Sequence, residues 1–122
     1  MRSYKIDYQK ADFVRYYDIL RSVFSLARCN AIMAYDNKGL RWLCVNTDIN
    51  GNVLDVQFSI TENTLITPQE IEALYTAMLT QMTFTTSPVG CPSNYGFFVS
   101  NLPDDLREIY TDPYYLDRKS VV

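Results

Sequence analysis

The sequence predicts a single α+β domain in which an amphipathic helix packs on an antiparallel sheet. Three observations predict it. Asn50-Gly51 is a hairpin signal between two alternating apolar runs, Thr67 to Glu70 is a capping box opening an apolar stripe, and segments rich in β-branched and aromatic residues follow. At 122 residues and 48% hydrophobic content the chain suits one domain with a core of its own. The organisation expected is one domain over 1–122, with its core in 12–102. A tail over 103–122 either docks by its aromatics or hangs loose.

Met1 to Lys10 is polar, with Tyr4, Ile6 and Tyr8 alternating as in a short strand or an arm. From Asp12, residues Phe13, Tyr17, Leu20, Phe24 and Ala27 recur on one side of a helix, and Tyr16, Ile19 and Val23 widen that stripe. Ser25 is a candidate N-cap for a second helix. Asn30 to Tyr35 reads two ways: as helix stopping near Gly39, or as a strand turning at Asp36 to Gly39. Ala27, Ala31 and Ala34 favour helix.

A two-residue type I′ loop at Asn50-Gly51 sets Thr47 opposite Leu54, Val45 opposite Val56 and Leu43 opposite Phe58. Leu43, Val45, Leu54, Val56, Phe58 and Ile60 then share the core face. Cys44, Asn46, Asp48, Asp55, Gln57 and Ser59 take the other, with Trp42 and Val53 as its apolar exceptions. In Thr67-Pro68-Gln69-Glu70, the Thr67 hydroxyl accepts from the Glu70 N–H and the Glu70 carboxylate from the Thr67 N–H, with Pro68 at the first helical position. Ile71, Leu74, Tyr75, Met78, Leu79 and Met82 form the apolar stripe behind that cap. Thr83 to Thr86 suits a strand, Ser87 to Asn94 a loop, and Tyr95 to Ser100 a further strand in which Gly96 signals a bulge or a close approach. Pro103 to Tyr110 reads as one or two helical turns, with Asp104 and Asp105 favoured near their N-terminus by the helix dipole.

The run Asp48-Ile49-Asn50-Gly51-Asn52-Val53-Leu54-Asp55-Val56, followed by a helix and a strand, resembles the C-terminal domain of TonB-like proteins. Gly51, Val53 and Val56 fit the hairpin of that family, Ala73 and Leu74 its helix, and Thr83-Phe84-Thr85 the strand that follows. Asn63 to Pro68 is similar to the helix start of small Bacteroidetes members. The sequence carries neither a membrane anchor nor a proline-rich spacer, and Met82 stands where energy-transducing members often have tryptophan. The resemblance thus implies a periplasmic module that binds an extended peptide along a sheet edge.

Composition narrows the chemistry. With no histidine, Ser-His-Asp and Cys-His catalysis and the commonest metal ligand are unavailable. The four glycines are isolated, so no phosphate-cradling loop is present. Cys29, Cys44 and Cys91 have neither disulfide-framework nor zinc spacing and read as buried thiols; Cys91, between Gly90 and Pro92, is the one plausible nucleophile. Asp104-Asp105 and Asp48/Asp55 are explained by a helix start and a hairpin before any catalytic role. The expectation is a non-enzymatic protein without cofactor or metal.

Residues 1–41 carry eight Lys/Arg against four Asp/Glu (+4), and residues 42–122 three against ten (−7), which sum to the net −3. The acidic balance argues against nucleic acid as partner, and no apolar run is long enough for a membrane span. The first twenty residues lack the apolar core of a signal peptide. The compartment expected is periplasmic if such a signal was removed upstream and cytoplasmic otherwise. Ten Tyr, six Phe and one Trp are a surplus suited to interfaces. Trp42, Tyr95, Gly96, Phe97, Tyr114 and Tyr115 are the candidate partner-binding residues. The bland alternative covers Trp42 with the N-terminal helix and puts Phe97 or Phe98 in the core. The partner expected is a protein or peptide added to the edge strand Tyr95 to Ser100, a second copy of the chain included. The alternative is a cytoplasmic acidic inhibitor, immunity or chaperone-like protein facing a basic partner.

Overall fold

The computed structural model describes residues 4–35, 40–60, 64–88 and 97–120. In order they form β1 (Tyr4–Ile6), α1 (Lys10–Val23), α2 (Leu26–Tyr35), β2 (Leu40–Thr47), β3 (Val53–Ile60), α3 (Pro68–Gln81), β4 (Thr86–Pro88), β5 (Phe97–Asn101), α4 (Leu102–Glu108) and α5 (Pro113–Ser120). The fold is α+β. An antiparallel sheet of order β3-β2-β5 carries the hairpin, and β1 and β4 make a separate two-stranded ribbon. No helix among the described residues is long and apolar enough to cross a membrane.

The hairpin forms with a different turn from the one predicted. Within the loop Gly51 has a positive φ, at 83°, and Asn50 does not, whereas a type I′ turn needs both. The Gly51 N–H donates to the Asp48 carbonyl at 3.0 Å, and the Asp48 N–H donates to the Asn52 carbonyl at 3.0 Å. The loop therefore has three residues, Ile49 to Gly51, with glycine in the left-handed position. The Asp48 carboxylate holds it by accepting from the Asn50 and Asn52 N–H groups, each at 2.9 Å. A longer loop shifts the pairing by one, so Thr47 faces Val53 rather than Leu54. A bulge at Leu54 cancels the shift, and Asn46/Asp55, Val45/Val56 and Leu43/Phe58 pair in the predicted register. Two side chains change sides as a result: Val53 is buried and Leu54 is 53% exposed.

The capping box at Thr67 is present in both directions, at 3.1 Å and 2.9 Å. Behind it Leu74, Met78 and Met82 are buried, with Ile71, Tyr75 and Leu79 packed at the margin. Ser25 does cap α2, its hydroxyl accepting from the Arg28 N–H at 3.1 Å, and Ala31 to Tyr35 is helical. The strand expected at Thr83 to Thr86 lies later, at Thr86–Pro88. Thr83 makes only an isolated bridge to Asn52, because Phe84 is drawn into the core against the hairpin turn. Most of the predicted loop over 87–94, Cys91 included, lies outside the described residues.

One core joins both ends of the chain. α1 packs on α3, α3 on β3, α4 on α2 and β2, and α5 on α1. Leu102, Leu106, Ile109 and Tyr115 are as deeply buried as Leu20, Leu43 and Leu74, so burial continues past residue 102 through α4 and α5. Much of the aromatic surplus is spent here. Phe13, Tyr16 and Tyr17 of α1 meet Phe98 and Tyr115, with Tyr16–Phe98 centroids 5.5 Å apart and Tyr17–Tyr115 5.3 Å apart, both edge-on.

Candidate functional site

The sheet has one covered face and one open face. Along β2, Leu43 and Val45 point into the core at 0% exposure, while Trp42 points out and is 48% exposed. On β5, Phe98 is turned inward and stacks on Tyr8 at 4.9 Å, whereas Phe97 and Val99 are 45% and 46% exposed. Asn46 pairs with Phe97, Cys44 with Val99 and Trp42 with Asn101. Phe97, Val99, Cys44 and Trp42 are thus neighbours on one outer surface, and none of the outward residues of β2 and β5 in these pairs is charged.

The two outer strands differ as edges. Neither β3 nor β5 has a second strand partner among the described residues. β3 is broken by the bulge at Leu54 and carries Asp55, features that protect an edge from further pairing. β5 pairs with β2 without a register break and contains no charge, proline or glycine. Its outer side has neither kind of protection.

The predicted site residues divide accordingly. Trp42 and Phe97 share the outer sheet face at opposite ends of the β2–β5 ladder, with Cys44 and Val99 between them, and Trp42 is exposed rather than covered. Tyr95 and Gly96 lie outside the described residues. Tyr114 and Tyr115 sit on α5 against α1, away from that face. Tyr115 is 1% exposed and donates to Asp18 at 2.6 Å, and burial raises its hydroxyl to about 12. Tyr114 packs between the Lys10 ammonium, 5.1 Å from its ring, and the Arg118 guanidinium at 4.3 Å. Val99 was not singled out by the sequence. Its alternation with Phe98 would have placed it beside Phe97, had the strand's inner residue been fixed.

Asp12 and Glu70 tie elements of the fold together, and Cys29 is buried. Asp12 is fully buried but accepts from the Gln9 N–H (2.8 Å), the Thr85 N–H and hydroxyl (3.1 and 3.0 Å) and Arg15, tying the start of α1 to the segment before β4. The Glu70 carboxylate takes two bonds from Arg28, at 2.8 and 3.0 Å. Burial works to raise its titration, but Arg28 and the Thr67 cap outweigh burial and hold it below the usual range. The open cleft of about 220 Å³ between α2 and α4 contains Cys29, whose thiol burial pushes up to about 11, a poor nucleophile near neutrality. No group of three or more His, Cys, Asp or Glu side chains among the described residues is arranged to hold a metal.

No known family profile matches the chain, and no curated protein matches it. Among solved structures it is similar to a DUF5043 family protein from Bacteroides uniformis ATCC 8492, at 16% identity with a TM-score of 0.57 over 78% of this chain. The chain spans 57% of that protein's length. At this identity the likeness is one of fold.

Proposed function

We propose that this chain is a non-enzymatic binding module that takes an extended protein segment alongside β5. In this reading the partner's backbone completes the outer edge of the strand, and its alternate side chains lie over Phe97, Val99 and Trp42. The observation that carries the proposal is the pairing, among the described residues, of an edge strand without bulge or charge with exposed apolar side chains on the adjoining face. Main-chain hydrogen bonds would supply affinity and the apolar row a preference for alternating Val, Ile or Phe. The resemblance of the hairpin, helix and strand order to TonB C-terminal domains supports the same mode of binding and a periplasmic setting.

The test is a selection of eight-residue peptides against the purified chain, followed by affinity measurements on single variants. Val99→Lys puts a charge on the edge, while Phe97→Ala and Trp42→Ala remove apolar contact. The reading predicts at least about a tenfold loss for Val99→Lys and smaller losses for the other two, with unchanged circular dichroism. Peptides that bind all three variants as well as the parent chain would refute it.

A further inference from the structure

Asp105 lies where β5, α4 and α1 meet, at 9% exposure. The Tyr16 hydroxyl of α1, at 2.7 Å, and the Ser100 hydroxyl of β5 both donate to one carboxyl oxygen, Oδ2. Oδ1 accepts from no described residue. The groups facing Asp105 are Tyr8 ahead of α1, Tyr16 and Tyr17 on α1, Ser100 on β5, and Asp104 and Glu108 on α4. All are neutral or acidic. Arg107 of the same helix pairs with Asp104 instead, and Arg28 of α2, which also packs on α4, pairs with Glu70.

Asp12 is the contrast within the same molecule. It is more deeply buried, and its donors are spread over both oxygens and include a guanidinium. Two neutral hydroxyls on one oxygen, with no guanidinium and no backbone N–H, compensate a buried charge at Asp105 less than the partners of Asp12 would.

We propose that Asp105 is a protonation latch for the docking strand: as the neutral acid it holds β5 to α1, and as the carboxylate it lets that corner open locally. Burial and the neighbouring Glu108 and Asp104 charges outweigh the Ser100 and Tyr16 donors and push the carboxyl up to about 6. Ionisation above that point leaves a buried charge with two neutral donors, which favours exposure of the Asp105 corner over its closed form. The inference rests on the β5 docking reading for its functional meaning: a strand held in place at mildly acidic pH is a better template than one that opens.

The test uses the full chain, the Asp105→Asn variant and the Tyr16→Phe variant between about pH 5 and about pH 8. Carboxyl carbon shifts give the Asp105 midpoint, and amide exchange, corrected for the intrinsic rate, gives the protection of Phe97 to Asn101. In the parent chain the midpoint is expected near 6. Protection of β5 is expected to fall between tenfold and about a hundredfold as pH rises, the upper bound set by a shift of about two pH units. Asp105→Asn abolishes the pH dependence, and Tyr16→Phe, lacking one donor, moves the midpoint higher still. A midpoint in the ordinary aspartate range, a flat parent profile, an unchanged slope in Asp105→Asn or an unmoved midpoint in Tyr16→Phe would each overturn the latch. Adding a selected peptide at about pH 5, where the latch holds β5 closed, separates the two ideas. Absence of β5 shifts removes the docking reading, while the midpoint and protection still decide the latch.

Discussion

The backbone of Gly51 lies directly against that of Phe84: the Phe84 N–H donates to the Gly51 carbonyl at 2.9 Å, and a β-carbon on Gly51 would fall 1.7 Å from the Phe84 carbonyl oxygen. The glycine is thus required twice, by its positive φ and by the segment docked on it. Gly51→Ala is expected to destabilise by about 2–4 kcal/mol, since neither backbone can move without opening the turn. Urea unfolding measures this, and a change below about 0.5 kcal/mol would mean the turn is not clamped.

The bulge at Leu54 gives a second prediction, because the two possible registers exchange neighbours. Val53→Ala should cost about 2 kcal/mol and Leu54→Ala less than about 0.5 kcal/mol. The simple two-residue turn predicts the reverse order. The same unfolding series distinguishes them.

The Arg28–Glu70 pair joins α2 to the cap of α3, and its pH dependence has a definite sign. The Glu70 carboxyl is held below its ordinary value in the folded chain, so its contribution is complete above that ordinary value and fades as pH falls through the folded one. Both side chains are partly exposed, at 31% and 17%, so screening limits the loss in Glu70→Gln to about 1 kcal/mol at neutral pH. Thermal melts of the parent and the variant should begin to converge as pH falls below the ordinary carboxyl range, about pH 4, and meet only below the lower folded value. A gap that persists there would assign the effect to something other than charge.

Asp105 has the opposite sign. Its carboxyl titrates higher in the folded chain than in the unfolded one, so the folded state holds more protons between the ordinary aspartate value and about 6, and stability falls as pH rises through that window. Two pH units correspond to about 2–3 kcal/mol. Asp105→Asn should therefore equal or exceed the parent in stability at about pH 7. Asp105→Ala, which strands the Tyr16 and Ser100 hydroxyls, should be less stable than either. Melting both at one pH checks the order, and Asn falling below Ala would contradict it.

How far the sequence could be read depended on whether local chemistry decided the outcome. The Thr67 cap, the Ser25 cap and the Val45/Val56 pairing follow from residues close in sequence or from strict alternation, and they stand as expected. The turn at Gly51 did not, because Asp48 offers the loop two hydrogen bonds that make a three-residue form cheaper than left-handed Asn50. The late start of β4 was hidden for another reason. Phe84 leaves the strand for a cavity that exists only once the hairpin and α1 are in place. At the candidate site, Trp42 was legible as an apolar break in a polar face. Which face of β5 would be outward depended on Tyr8 and Tyr16, far away in sequence, claiming Phe98.

The central claim is that the outer side of β5 accepts a partner strand, and backbone amide shift mapping tests it most directly. With a selected alternating apolar peptide, the largest changes should fall on Phe97 to Asn101, with Trp42 and Cys44 following and α5 unmoved. Changes centred on β3 or on the α1–α3 surface, with β5 silent, would contradict it.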